Sequence, residues 1–404
     1  MKTKNILLSI SVFGFLFSSC GESDDSKFRT PEPGESTSEL LVTEFSAAPA
    51  MDGSIDDMWG TAQKLVGTAT VPNLGPRSTY LNPDGEGVEE ELGLFAPYSG
   101  EEYDFSMRAG YMGGDIYFLI EWDDDDDSKD RQSWYFDASD KLWKGEHKYA
   151  NTLGDKYYED KFSFLFPIGE VAGFSGSTCY ATCHTATSIS KAKDKHTRHY
   201  LTNESEKVDM WHWKRDRGTF LGQVDDQKME YDDASKGSSA NGRKGDATGS
   251  GGYSNNSQTL NNGTADVSVP KYVIPNKTEY YWISETDINN GVAKLITAVD
   301  ANGVLTYEGG SINPADGGFE QGTGNMRLPS ITTKAFTEGR GDISISALHT
   351  GSGWICEVTR KLNTGDADDV VFDLDKELPF GFAIFNNAAI AHGIKPGLTL
   401  KFDK

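Results

Sequence analysis

The stretch SMRAGYMGGDIYFLIEW, residues 106–122, is two apolar runs joined by Gly113-Gly114. Paired glycines between alternating runs read as a two-residue hairpin of the I′ type, and hence as two antiparallel strands. The texture recurs in DKFSFLFPIG (160–169), DISISALHTGSGWICEVTRKL (342–362), DVVFDL (369–374), PFGFAIFNNAAI (379–390) and LTLKF (398–402). Each run alternates or stays apolar between Gly, Asn, Asp or Pro breakers. MDGSIDDMWGTAQKLV (51–66) opens the series with a turn and a Trp-centred segment. Helical period is confined to TATSISKAKDKHTRHYLT (185–202) and the surroundings of KVDMWHWKRDRG (207–218). Short strands must bury their faces against one another. The expected architecture is therefore an all-β sandwich with loops and short helices inserted on one side.

Between Asp233 and Asp266 the chain is rich in Gly, Ser and Asn and has little to bury. It reads as a flexible inserted loop over 233–266, with the same sandwich continuing beyond it. One domain is expected over residues 46–404.

The N-terminus carries Lys2 and Lys4, an apolar run from Ile6 to Phe17, and then Ser18-Ser19-Cys20. A basic start, a short apolar core and small residues describe an export signal over 1–19. A cysteine in that place resembles a bacterial lipoprotein signal, which implies lipidation at Cys20; the alternative is an ordinary signal with an incidental cysteine. Residues 20–45 read as a polar tether. The expected location is the bacterial cell envelope, as an outer-membrane lipoprotein facing the periplasm or the surface. The formal net charge of -24, from 62 acidic and 38 basic residues, argues against nucleic acid, whose phosphates need a basic surface. The acidic run EWDDDDDSKD (121–130) lacks the alternating ligands and glycine of an EF-hand loop and reads as a solvated loop.

Four cysteines stand at 20, 179, 183 and 356. Cys356 alternates in register with Trp354 and Val358, so it reads as a buried hydrophobe on a strand. STCYATCHTA (177–186) leaves three readings open. A Cys179–Cys183 disulfide would close a very short loop and constrain the unfolded chain little. Structural zinc wants four close ligands, and His196 and His199 are the nearby additions. Covalent haem would use both thiols for the porphyrin and His184 for the iron, with one residue more than the usual spacing.

Seven stretches, in order, carry a resemblance: MDGSIDDMWGTA, MRAGYMGGDIYFLIEWDD, YYEDKFSFLFPIG, CYATCHT, VDMWHWKRDRG with GQVDDQ, GWICEVTRKLNTGDADDVVFD, and FGFAIFNNAAIAHG. Together the chain resembles the haem-binding domain family of ethylbenzene dehydrogenase γ subunits, cytochrome c-552 and DMSO reductase-like proteins, in its Cys-x-x-x-Cys-His branch. The resemblance implies an immunoglobulin-like β-sandwich that holds haem c between its edge and the inserted loops. It implies Cys179 and Cys183 as the covalent anchors and His184 as the proximal iron ligand. The γ subunits use methionine and lysine instead, so their pair does not transfer. For the distal ligand His392 leads, followed by Lys395, His199 and Met326, with Met210 and His212 in similar stretches. Trp211, Trp213, Lys214 and Arg217 either flank the haem or pack a sandwich edge with exposed bases. The function implied is a lipid-anchored c-type cytochrome that passes electrons between redox partner proteins and is not itself an enzyme. The alternatives are a carbohydrate-binding surface lipoprotein and the haem subunit of a multi-subunit dehydrogenase.

Overall fold

The computed structural model describes residues 32, 34–72, 80–81, 87–88, 100–146, 157–178, 201, 203–231, 242–389 and 391–403. Alternation becomes strand wherever one face can be buried. Among the described residues a 12-stranded sheet forms the main body. Its strands are β1 (Glu39–Glu44), β2 (Leu65–Thr70), β3 (Glu102–Met112), β4 (Asp115–Asp123), β5 (Lys161–Pro167) and β6 (Lys207–Lys214). They continue as β7 (Asp225–Glu230), β8 (Arg243–Gly245), β9 (Ser344–His349), β10 (Gly353–Lys361), β11 (Leu378–Phe385) and β12 (Gly393–Phe402). Across the sheet the order is β8-β7-β6-β5-β11-β12-β1-β3-β4-β10-β9, and β2 pairs with both β12 and β3.

The sheet curls over on itself. Phe118 and Trp122 of β4 lie far along the order from β5 and β6, yet Phe118 meets Trp211 at 5.6 Å and Trp122 meets Trp213 at 6.0 Å between ring centroids. These rings, with Phe162, Phe164, Phe166, Trp354, Phe380 and Phe382, fill one apolar core. Each such side chain contributes roughly 1.5–3 kcal/mol by leaving water. The two ends of the sheet also approach. The Val224 amide donates to the Ile343 carbonyl and the Ile345 amide to the Gly222 carbonyl, which ties the entry of β7 to β9. The expected all-β sandwich is what forms. Cys356 lies wholly buried in its core on β10, as its alternation implied.

Four expectations need correction. The β3–β4 hairpin is present, with Met112 opposite Asp115, but positive φ falls at Gly113 and not at Gly114, the pattern of a II′ turn rather than I′. The tether assigned to 20–45 contains β1, whose Leu40 and Val42 are buried and which pairs in parallel with β12 and β3. A run this short carries too little periodicity to announce itself. KVDMWHWK is strand β6 rather than helix, and the helical turn follows it at Arg215–Gly218. Finally, the described part of the loop assigned to 233–266 is ordered as β8 and the strands Ser250–Asn255 and Gln258–Asn261. Its Asn256 is wholly buried and bonds the Tyr272 backbone in both directions as well as the Pro329 carbonyl. The strands beyond it form small sheets around a second apolar cluster centred on Trp134, Trp143, Ile283 and Leu305. They do not extend the main sheet. The chain returns to that sheet at β9. Contacts nevertheless gather residues 31–404 into one compact unit.

Candidate functional site

Strand β6 divides its side chains cleanly. Trp211 and Trp213 point into the core, and Met210, His212 and Lys214, by alternation, occupy the outer face. That face is covered rather than solvated. Leu165, Val171, Phe174, Leu201, Val208, Met210, Met229 and Ile394 form a separate buried cluster on it. His212 is 4% exposed, and neither ring nitrogen has a hydrogen-bond partner among the described residues. Its ring packs on Phe385 of β11 with centroids 5.6 Å apart and planes at 28°. His392 packs on the same Phe385 at 4.3 Å and 26°. The Lys161 ammonium lies 4.1 Å from the centre of that ring and donates to the Ala389 carbonyl at 3.2 Å.

The electrostatics of this corner are cationic. Burial, then the charges of Lys214, Arg243, Lys161 and Arg217, holds the His212 imidazole well below its ordinary value. The ring is therefore neutral near pH 7 and keeps a nitrogen lone pair. Burial, reinforced by Arg217, also pushes Lys161 well below the usual ammonium range. Lys214 is lowered to about 8 by burial, against the opposing pull of Asp225, to which it donates a hydrogen bond. Most buried polar side chains in folded proteins find partners, and an orphaned one calls for a ligand, an ion or a chemical role. A neutral, buried imidazole with free nitrogens has the donor chemistry of a metal ligand.

At the far end of the outer face, where Pro167 of β5 pairs with Val208 of β6, a cleft of about 1080 Å³ opens, lined by Val171, Phe174, Ser175, Asn203, Phe372 and Leu378 among others. It is at the upper end of the size range for small-molecule and cofactor sites. Both flanks of the segment 179–200 converge here. The short helix α1 (Phe174–Ser177) leads to buried Thr178, and the chain resumes at wholly buried Leu201 and Asn203. Cys179, Cys183, His184, His196 and His199 lie outside the described residues, as does Cys20.

The structure sorts the remaining candidates. Trp211 and Trp213, expected beside a cofactor, are interior packing residues on the opposite side of β6. Lys214 and Arg217, expected beside the same cofactor or else as exposed bases of a sandwich edge, are buried. Lys395 follows Ile394 on β12; since Ile394 joins the outer cluster, alternation turns Lys395 to the other face. Met326 packs in the second apolar cluster. His392 packs on Phe385, the ring that His212 also meets. The acidic run after β4 is not simply solvated, because Asp124 is buried and Asp127 pairs with Arg215. Lys161 and Phe385 were not singled out from the sequence. The signal was present in EDKFSFLFP, where a lysine opens a strand too apolar to leave it exposed.

Against this geometry, the family model described as ethylbenzene dehydrogenase matches residues 73–396. The chain belongs to the ethylbenzene dehydrogenase family. The matched range takes in β3 through β11 and the Cys179–His184 motif, while β1 and β2 precede it and still pair into the same sheet. No curated protein matches. Among solved structures, a family 9 carbohydrate-binding module from Caldicellulosiruptor kristjanssonii in complex with glucose shares 8% identity, with 90% of this chain and 95% of that one covered at a TM-score of 0.27. The same kind of module in complex with cellotriose gives 9% identity, 90% and 93% coverage, and 0.28. A protein of Bacteroides uniformis described as carbohydrate-binding gives 8%, 91% and 99%, and 0.32. Likeness at that level carries no inference about what this family member binds.

Proposed function

We propose that this member of the ethylbenzene dehydrogenase family is a haem-carrying electron-transfer protein held in the bacterial envelope by lipid on Cys20. The observation that carries the reading is His212: buried, neutral, and without a partner for either nitrogen among the described residues. The buried outer face fits such a group. It offers an imidazole lone pair, an apolar wall that excludes water, and the buried amines of Lys161 and Lys214, which an anionic edge would draw toward their charged form. In this proposal Cys179 and Cys183 would hold the haem covalently, and His184 and His212 would ligate its iron, His212 in preference to His392. Bound haem would supply a one-electron iron couple, and two protein ligands leave no open position for substrate. The chain's own residues then bind, orient and desolvate, and redox partner proteins deliver and remove the electron.

The test is expression of the full chain in a host with covalent haem-attachment machinery. The expected product is coloured, stains for haem after denaturing electrophoresis, and exceeds the polypeptide mass by one haem. Cys179→Ala with Cys183→Ala should abolish the covalent signal, and His212→Ala should move the spectrum from low-spin toward high-spin iron. A low-spin spectrum that survives His212→Ala and fails in His392→Ala would transfer the ligand role to His392. Colourless protein from a competent host overturns the reading.

The carbohydrate-binding alternative has one observation of its own. Phe220, 36% exposed, stacks face to face on Trp282 at 4.6 Å and 16°, which leaves the outer ring face as the one for a sugar to pack against. Colourless protein that binds cello-oligosaccharides, and stops doing so in Trp282→Ala, would establish that reading.

A further inference from the structure

Five aspartates from distant parts of the chain gather at one end of the sandwich core. Asp209 of β6, Asp226 of β7 and Asp369 are buried, and one carboxylate oxygen from each lies within 4.8 Å of the others. Asp246, 3% exposed, approaches from beyond β8 with Asp369 and Asp209 as neighbouring charges. Asp342, before β9, adds a fifth carboxylate beside Asp226. Arg360 of β10 meets this group. One of its terminal nitrogens donates to Asp209 at 2.8 Å and lies 3.5 Å from Asp226 and 3.7 Å from Asp369. Its other terminal nitrogen donates to the Val370 carbonyl. Five carboxylates against one guanidinium leave a formal excess of four negative charges. The nearby Lys207 and Lys228 are engaged by Asp368.

The decisive feature is what remains unbonded. Among the described residues, Asp209 Oδ1, both oxygens of Asp226, both of Asp246, Asp342 Oδ1 and Asp369 Oδ1 are buried without a hydrogen-bond partner. Asp246 stands outside the close triad, almost wholly buried, and its unpartnered carboxylate is aimed toward it. A structure does not desolvate so many oxygens without a counter-charge, because each uncompensated buried ion costs several kcal/mol. A hard divalent cation supplies it. Calcium takes six to eight oxygens at about 2.3–2.6 Å, so ligand oxygens on one ion lie no more than about 5 Å apart. The triad satisfies that limit, and Asp246 and Asp342 flank it as further carboxylates. An ion also has an entry, since Asp369 and Val370 line the cleft.

We infer that Asp209, Asp226, Asp246, Asp342 and Asp369 form a structural calcium site. It joins β6 and β7 to the loop after β10, the two sides that the sheet brings together by curling. This site is independent of the haem reading and would stand if that reading failed.

Equilibrium dialysis of chelator-treated full-length protein against calcium chloride, with excess magnesium present, tests it. The expected result is one calcium per chain together with a calcium-dependent rise in Tm. Asp226→Asn and Asp246→Asn should each weaken binding on the order of tenfold or more, as expected when a charged ligand is lost. Asp125→Asn with Asp126→Asn, in the exposed acidic run, should leave it unchanged. Three results would overturn the site: wild-type protein that binds no calcium, calcium lost with the Asp125 and Asp126 pair, or Asn variants that raise Tm equally with and without calcium. The last would mean that protons shared between carboxyl groups supply the neutralisation.

Discussion

Burial pushes both Glu159 and Asp124 upward, yet their surroundings move the two carboxylates in opposite directions. Burial would raise Glu159, but the charges of Arg217, Arg131 and Lys161 override it and hold the group below its ordinary value. Arg217 Nε donates to it at 2.6 Å and the Asp216 amide at 2.7 Å. Its stabilisation is present above the unfolded-state pKa and is lost as pH falls. Glu159→Gln should cost about 3–5 kcal/mol at pH 7, because it strands buried Arg217; urea denaturation measures it, and a loss below 1 kcal/mol would contradict the account. Asp124 has no comparable cation and is raised to about 6, chiefly by burial. The folded state therefore keeps a proton that the unfolded chain gives up, and stability falls as pH rises through that interval. Asp124→Asn should remove on the order of 2 kcal/mol of that decline between about pH 4 and 6. Parallel pH profiles of wild type and variant check it.

At the scale of the element, β6 separates packing from chemistry within consecutive residues. Trp213 is wholly buried against Phe162 and Trp354, so Trp213→Ala should cost about 3–5 kcal/mol. Its neighbour His212 points to the other face and makes no hydrogen bond among the described residues. His212→Leu should therefore leave the haem-free chain within about 1 kcal/mol of wild type, since an unpartnered polar ring gives way to an apolar side chain of similar bulk. A large loss would assign His212 a structural role. Asn256 illustrates the converse. Within a stretch whose composition suggests a solvated loop, its side chain bonds the backbone at two places, Tyr272 and Pro329, while its own backbone carbonyl accepts from the Trp134 indole. Asn256→Ala should destabilise the chain by about 1–3 kcal/mol for each buried group left unbonded, which thermal denaturation reads directly.

For the whole molecule, the net charge of -24 sets a self-repulsion that the fold has to withstand. Sodium chloride raised from about 0.01 M to about 0.15 M shortens the screening length from about 30 Å to about 8 Å and should raise Tm. A Tm that is flat or falling with salt would show that local ion pairs outweigh the global field. Closure is the second whole-molecule property. Gln223 accepts from the Phe336 amide and donates to the Phe336 and Gly341 carbonyls, holding the place where the ends of the sheet meet.

The sequence by itself determined the strand texture, the β3–β4 hairpin and the burial of Cys356. Each depends on neighbours two residues apart, and alternation is written locally. The family was legible too, because its motifs are short and ordered along the chain. What only the tertiary structure decided was which strands meet. β1 slots between β12 and β3 on the strength of pairing partners at the far end of the chain. Trp211 and Trp213 were assigned their face once β4 closed over β6, and that same closure left His212 buried on the other side. Asp209 and Asp369 become neighbours across 160 residues for the same reason. Charge compensation and burial are sums over everything that surrounds a group, and the curling of one sheet, rather than any local stretch of sequence, sets those surroundings.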